Sequence, residues 1–225
     1  GLNTYWDLDK YGVEILYELT YRGGTYSTKR GENGKPWFAR LGGQLHTGYS
    51  LSNTFTKNGD YFFPTEDRRS GYVNNMREKL WGNSQYYLTL ERMLYRESGS
   101  YNRGLTGFFK AKYSPWDYRG STNKGLSGGL AYEGIGKRDN DIFYAGYAHV
   151  LVNKGVIERS ENQFLCTSVP SCDVSNYQGT FEVGYSAQIK PYLHIQPKLW
   201  YVVNPNVRKD LGNILTAGFE FRLSY

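Results

Sequence analysis

Four side chains on one face of a single predicted strand have types that can bind a hydroxyl-rich solute. In the stretch YLHIQPKLWYVVNP, residues 192–205, apolar and polar positions alternate, so that His194, Gln196, Lys198 and Trp200 share a face. The amide and the basic groups can hydrogen-bond to hydroxyl groups, and an indole ring can pack against an apolar C–H surface. These residue types together suit a wall that contacts a polar, hydroxylated molecule.

Pro197 lies inside the same predicted strand, on its opposite, apolar face. Proline has no backbone N–H to donate to a neighbouring strand, so a sheet tolerates it at an edge or at a bulge. We therefore predict a bulge at Pro197 that re-aims Lys198 and Trp200.

The composition favours an all-β protein. Aromatic residues make up 17% of the 225 residues, and with Gly 27 this usage suits sheets with many tight turns. The mean hydropathy is −0.63, and no run of about 18 or more apolar residues could cross a bilayer as a helix. The hydropathy does not exclude a transmembrane β-barrel, because barrel strands give only a weak hydropathy signal. No leader segment is visible, so we expect either a mature form or a fragment.

Alternation of apolar and polar residues predicts nine antiparallel strands of about ten residues each, the length that a tilted strand needs to cross a bilayer. We interpret residues 1–225 as a single β-barrel domain. In the third segment Arg92 falls on the apolar side, and a bulge at Glu91 and Arg92 would re-aim it. The nine predicted strands are residues 12–22, 37–49, 84–97, 105–113, 125–134, 141–152, 177–190, 192–203 and 213–225.

The predicted connections alternate in length between the two ends of the sheet. Apart from the first, those at one end are short, whereas two at the other end, Leu51–Gly82 and Lys154–Asn176, are long. Short periplasmic turns and longer outer loops are typical of outer-membrane barrels. This pattern predicts a transmembrane barrel in a bacterial outer membrane.

An odd number of strands is unusual for a bacterial single-chain barrel. The predicted polar face is also rich in charge, and the filled interior of an eight-stranded barrel would have to pair all of it. About sixteen strands leave an aqueous channel instead. We therefore favour the C-terminal part of a larger, water-filled barrel, with one wrongly divided strand as the alternative.

The predicted pore-lining side chains all lie on the polar faces of these strands. As alternatives, the lysines and glutamates are paired wall charges, the histidines are hydrogen-bonded wall residues, and Trp200 is an interfacial girdle residue. The predicted pore-lining residues are Arg40, Gln44, His46, Glu91, Lys110, Lys112, Glu133, His149, Glu182, Gln196, Lys198, Trp200, Glu220 and Arg222.

The two cysteines, Cys166 and Cys172, flank a turn marked by Pro170 and Ser171. They could close a small disulfide loop in an oxidising compartment, and two free thiols are the alternative. A zinc site would need further ligands nearby. We predict no metal and no cofactor.

Charge and motif content argue against two other classes of function. The net charge of +6 comes from interspersed rather than clustered residues, whereas a nucleic-acid binder shows a basic stripe, so we expect no nucleic-acid partner. Barrel hydrolases need a nucleophile beside a histidine, and His149 is near no suitable serine. We predict that the protein is not an enzyme.

Three stretches resemble one known family. QLHTGYS (Gln44–Ser50), MLYRESGS with RGLTGFFKAKYSP (Met93–Pro115), and FEVGYSAQIKPYLHIQPKLWYVVNP (Phe181–Pro205) are similar to the C-terminal half of the carbohydrate-selective porins, the OprB family. The region Leu51–Gly82 and the cysteine loop depart from this pattern. The resemblance implies a sixteen-stranded outer-membrane barrel that lets glucose and related sugars diffuse, without a cofactor.

The resemblance also implies partners. They are outer-membrane lipid, small neutral sugars, the N-terminal half of the barrel and further copies in a homo-oligomer. Passive, carbohydrate-selective diffusion is the leading hypothesis. The alternative is a small closed barrel that acts as a binding or structural protein through outer loops such as Leu51–Gly82.

Overall fold

The described residues form one antiparallel sheet in which each strand pairs with the next along the chain. In the computed structural model these residues are 12–24, 35–60, 77–100, 103–162 and 173–223. The strands are β1 (Glu14–Gly23), β2 (Trp37–Thr56), β3 (Arg77–Arg96), β4 (Gly104–Tyr113), β5 (Thr122–Ile135), β6 (Arg138–Val152), β7 (Tyr177–Lys190), β8 (Leu193–Val203) and β9 (Ile214–Leu223). The predicted all-β class and the nine strands are confirmed.

The sheet is open. Within the described part of the chain, β1 pairs only with β2 and β9 only with β8, so these two strands are its edges. An open antiparallel sheet of this kind is consistent with part of a barrel.

The second and third strands are longer than predicted. β2 continues to Thr56 and β3 begins at Arg77, so the connection predicted at Leu51–Gly82 narrows to residues 57–76. The β2–β3 register shifts by one residue between the pairs of His46 and Tyr49, and this shift breaks the alternation on which the prediction relied.

The two faces of the sheet differ in polarity. Side chains of directly paired residues point to the same side, and the register gathers the alternating apolar residues on one face. Met93 is the one buried hydrophobic residue among those described, whereas Leu19, Leu215 and Phe219 are 71%, 72% and 72% exposed. Such a sheet has no core of its own and resembles a wall with lipid on one side and water on the other.

Pro197 lies in a continuous strand rather than in a bulge. It pairs with Phe219 on β9. On the β7 side, Gly184 pairs with Lys198 and Ala187 pairs with Ile195, but the two residue pairs that would lie between these are missing. Pairing resumes in the same register, so the predicted bulge at Pro197 is wrong. The sheet accommodates the missing N–H by leaving a gap in one ladder, and the side-chain alternation continues through it.

The bulge predicted at Glu91 and Arg92 is also misplaced. Both residues keep regular pairs with β4, and the register shifts one step later, between Met93 and Tyr95. Arg92 therefore stays on the apolar face, near the end of the strand.

The connections differ between the two ends of the sheet, as predicted. Residues 24–36, 97–103, 136–137 and 191–192 connect strands at one end, which we call the turn end. Residues 57–76, 114–121, 153–176 and 204–213 connect them at the other, which we call the loop end. Cys166 and Cys172 lie outside the described residues, and their disulfide stays a prediction.

A short helix, α1 (Lys154–Asn162), follows β6 at the loop end. It begins at the fully buried Asn153, whose side-chain oxygen accepts hydrogen bonds from the backbone N–H groups of Gly155 (2.9 Å) and Tyr118 (3.1 Å). The Asn153 amide donates to the carbonyl oxygen of Trp116 (3.1 Å). This asparagine therefore ties α1 to the β4–β5 connection. Among the described residues, no helix has the length and apolar character needed to span a membrane.

Candidate functional site

The sheet brings thirteen of the fourteen predicted pore-lining residues onto one face. Cross-strand pairs such as Arg40 with Thr89, Lys110 with Ser127, and Gln196 with Glu220 establish this shared orientation. The residues on this polar face are Arg40, Gln44, His46, Glu91, Lys110, Lys112, Glu133, Glu182, Gln196, Lys198, Trp200, Glu220 and Arg222.

His149 lies on the apolar face, contrary to its predicted position. It pairs with Leu126, and its ring stacks on Tyr177 with the centroids 4.9 Å apart. Its Nδ1 lies 3.0 Å from the hydroxyl oxygen of Tyr147. The prediction failed because β6 carries apolar and aromatic side chains on both faces, so alternation alone chose the wrong register.

A charged triad crosses from β8 to β9 on the polar face. Lys198 Nζ lies 2.5 Å from Glu220 Oε2, and an Arg222 guanidinium nitrogen lies 3.3 Å from Glu220 Oε1. The Lys198 side chain is 18% exposed, whereas that of Arg222 is 65% exposed. Glu220 therefore holds the lysine against the sheet and leaves donors of the arginine open to solvent.

Tyr144 lies on the polar face and connects two of the predicted residues. Its hydroxyl donates to Glu182 Oε1 (2.8 Å) and accepts a hydrogen bond from Gln196 Nε2 (2.9 Å). Gly184 lies directly beside the ring, since a Cβ there would be 2.3 Å from the Tyr144 hydroxyl. A glycine paired with an aromatic residue, as Gly184 is with Tyr144, could have indicated this contact, but only if the pairing of β6 with β7 were already known.

Trp200 lies beside these groups on the same face. A Cβ built at Gly218 would come within 2.8 Å of Trp200 Cζ3 and 3.0 Å of Cη2, so the indole covers this glycine. Trp200 also pairs with Glu182 on β7. The ring, the triad and the Tyr144 contacts thus form one continuous surface across β6–β9, which we call the β6–β9 wall.

A second polar cluster lies on β1–β3. Glu18 accepts hydrogen bonds from the Tyr87 hydroxyl (2.5 Å) and the Thr20 hydroxyl (3.2 Å), and its carboxylate lies 3.3 Å from Arg40 Nε. A short contact between Glu14 and Gln44 continues the cluster along the strands. Most polar groups of this cluster therefore bond to one another.

Lys110 and Lys112 of β4 are the exposed cations between the two clusters. Neither has an ion-pair partner among the residues that the structure describes. A shallow cleft of about 360 Å³ lies between them and Tyr87, Ser127 and Val150. The middle of the polar face is therefore locally positive.

The other predicted residues are more scattered. Glu91 pairs with two phenylalanines, Phe38 and Phe108, and Glu133 pairs with Ile142. His46 pairs with Glu14 of β1, and His194 pairs with Gln188 and Arg222. No three His, Cys, Asp or Glu side chains among the described residues are grouped as a metal site would require.

A family model for the carbohydrate-selective porins of the OprB family matches residues 2–225. The chain belongs to this family. OprB porins are outer-membrane proteins of Gram-negative bacteria. The family is one of porins, which are channels rather than enzymes.

A solved structure, the high-pH form of Pseudomonas putida OprB, has the same fold. The TM-score is 0.75 at 19% sequence identity, over 94% of this chain and 48% of that one. The chain therefore spans about half the length of the solved porin that it matches. Among curated proteins, none matches the sequence.

Proposed function

We propose that this chain forms part of the wall of an outer-membrane pore through which glucose and related neutral sugars diffuse passively. The β6–β9 wall carries the proposal, because it combines an indole face with hydrogen-bonding groups on one surface. A pyranose ring has hydroxyl groups at its edge and an apolar C–H face. Trp200 can contact that face while Gln196, Lys198 and Arg222 reach the hydroxyl groups.

The pairing of charges in this wall favours neutral solutes over ions. The wall carries two cations, Lys198 and Arg222, and two carboxylates, Glu182 and Glu220, and both cations form ion pairs with Glu220. Charges satisfied in this way still offer hydrogen bonds but attract a free ion less strongly. Each contact must also be weak, since conduction requires that the solute leave as readily as it enters.

A closed pore needs strands beyond those described. The edge strands β1 and β9 each have one side without a partner in the described chain, and unpaired backbone groups are not tolerated in the hydrocarbon core of a membrane. We propose that an N-terminal half of the barrel pairs with both edges. A homo-oligomer of such barrels would be a further level of assembly.

The proposal is tested by ion currents through the purified, folded protein in planar bilayers. Glucose should block the current in a concentration-dependent manner, and Trp200→Ala and Lys198→Ala should each weaken this block. Lys137→Ala, in an exposed turn outside the polar face, is the matched control. Unchanged block in both wall variants would contradict the proposed sugar path, and the absence of current would favour a closed barrel that acts through its loops.

A further inference from the structure

The β4–β5 connection folds back onto the apolar face at the loop end. Trp116 Nε1 donates to Ser84 Oγ (2.7 Å), and Ser114 Oγ donates to the Ser84 carbonyl oxygen (3.1 Å). Ser84 pairs with Leu45 and so belongs to the apolar face. The Trp116 indole, 41% exposed, is therefore fixed at the rim of the surface that would face lipid, where tryptophan is enriched in membrane proteins.

Arg119 stacks on this indole. Its guanidinium carbon lies 4.3 Å from the centroid of the Trp116 ring. Its Nε and one terminal nitrogen are covered yet have no hydrogen-bond partner among the described residues, and no described carboxylate forms an ion pair with it. Burial lowers the pKa of Arg119 from its usual value, although an arginine remains charged at neutral pH. The protein thus holds an uncompensated positive charge at the rim.

Lys124 adds a second uncompensated charge on the same hairpin. It pairs with Tyr113 and Leu151, which places it on the apolar face, and its Nζ lies 5.9 Å from the centroid of the Tyr113 ring. No carboxylate among the described residues forms an ion pair with Lys124. A lysine facing lipid is costly unless its ammonium group reaches the interface or an anion.

A groove on the apolar face begins at Lys124. It has a volume of about 370 Å³. Its apolar-face lining is mostly aliphatic and aromatic, so it can hold a hydrocarbon chain but offers little to a polar solute. The apolar residues along it include Leu41, Tyr86, Leu88, Leu126 and Leu151.

We propose that this surface binds the phosphorylated glycolipid of the outer leaflet, with its phosphate groups drawn to the charges of Arg119 and Lys124 and one acyl chain in the groove. Charge complementarity selects the anionic headgroup, because both cations lack a described protein counter-ion. The apolar groove that Lys124 lines selects a lipid over a free anion. The inference depends on the outer-membrane location but not on sugar transport.

The first test measures binding of bisphosphorylated lipid A to the purified, folded protein in detergent, by native mass spectrometry. The double variant Arg119→Gln/Lys124→Gln should weaken binding roughly 30-fold, since each basic residue near an anionic surface contributes about 1 kcal/mol. The charge-matched control Lys137→Gln/Lys190→Gln removes two exposed lysines at the turn end and should change binding less than about twofold. Equal weakening in both double variants would overturn the proposal, because it would show only a general charge effect.

The second test separates a lipid from a free anion. Leu126→Trp narrows the groove on an exposed position, where Leu126 is 52% accessible, and should weaken lipid A binding while both cations remain. Inorganic phosphate in millimolar excess should not displace the lipid. Displacement by phosphate, or unaltered binding to the Leu126→Trp variant, would contradict an acyl-chain site.

Discussion

The indole of Trp200 on β8 covers Gly218 on the edge strand β9. A Cβ at that glycine would come within 2.8 Å of the ring, so the absence of a side chain lets the aromatic ring lie close to the sheet. The contact is made by the Cζ3–Cη2 edge of the ring, so the faces of the indole are not the surfaces that touch Gly218. It also couples the proposed sugar contact to a residue that has no side chain of its own.

Gly218→Val should lift the indole from the sheet and weaken the glucose block of ion current. Aromatic contacts are worth about 0.5–1.5 kcal/mol, so the blocking constant should rise roughly 2- to 10-fold. Gly125→Val is the control, because a Cβ at this polar-face glycine meets no atom closer than 3.9 Å. Equal blocking constants for the two variants would show that the contact between Trp200 and Gly218 has no role in the glucose block.

Tyr144→Phe should destabilise the β6–β9 wall, since it removes the hydroxyl between Glu182 and Gln196. We expect a loss of roughly 1 kcal/mol in the free energy of unfolding, measured with urea in lipid vesicles. Tyr86→Phe is the control, because the Tyr86 hydroxyl has no hydrogen-bond partner among the described residues and its loss should cost less than about 0.5 kcal/mol. A Tyr144→Phe variant as stable as the control would remove this network from the account.

Pro197→Val should stabilise the sheet, because a valine N–H can fill the gap in the ladder to β7. One added backbone hydrogen bond contributes roughly 1 kcal/mol, which should raise the temperature at which the folded band is lost on a heat-modifiability gel. Leu199→Val is the control, since it introduces valine on the same face without adding an N–H. A lower transition temperature for Pro197→Val than for Leu199→Val would show that the gap serves another purpose.

Acidification should loosen the β8–β9 connection. Hydrogen bonds from Arg208 lower the pKa of Asp210 below its usual value. A lowered pKa means that the stabilisation is present above the pKa of the unfolded state and is lost as the pH falls through that of the folded state. Amide hydrogen exchange of residues 205–213, corrected for the intrinsic pH dependence, should accelerate over that range, and Asp210→Asn should be fast throughout. Protection that is insensitive to both changes would refute a role for the pair.

The orientation of a strand could be predicted from the sequence where only one of its faces is apolar. The prediction failed where both faces carry apolar residues. β8 and β9 alternate clearly, and their predicted faces are confirmed. On β6, His149 lies on the apolar face and not on the predicted polar face, because this strand is apolar on both sides and only pairing with its neighbours resolves the register. The hydrogen bond between Tyr144 and Glu182 joins residues 38 positions apart in the sequence, so no local sequence pattern predicts it.

Two further features depend on sheet context. The bulge at Pro197 was predicted because proline in a sheet usually lies at an edge or a bulge. The sheet instead omits the residue pairs with β7 beside Pro197 and keeps its register. Likewise, the extension of β2 to Thr56 has no apolar alternation to mark it, because it lies beyond the register shift after His46.

Liposome swelling with the purified, folded protein tests most directly whether the polar face lines a sugar-selective pore. Glucose and a neutral amino acid of similar size would be compared at equal osmotic strength. We expect glucose to enter faster than its size-matched competitor, and Trp200→Ala to reduce this difference. Equal rates for the two solutes, or no swelling with either, would contradict this expectation.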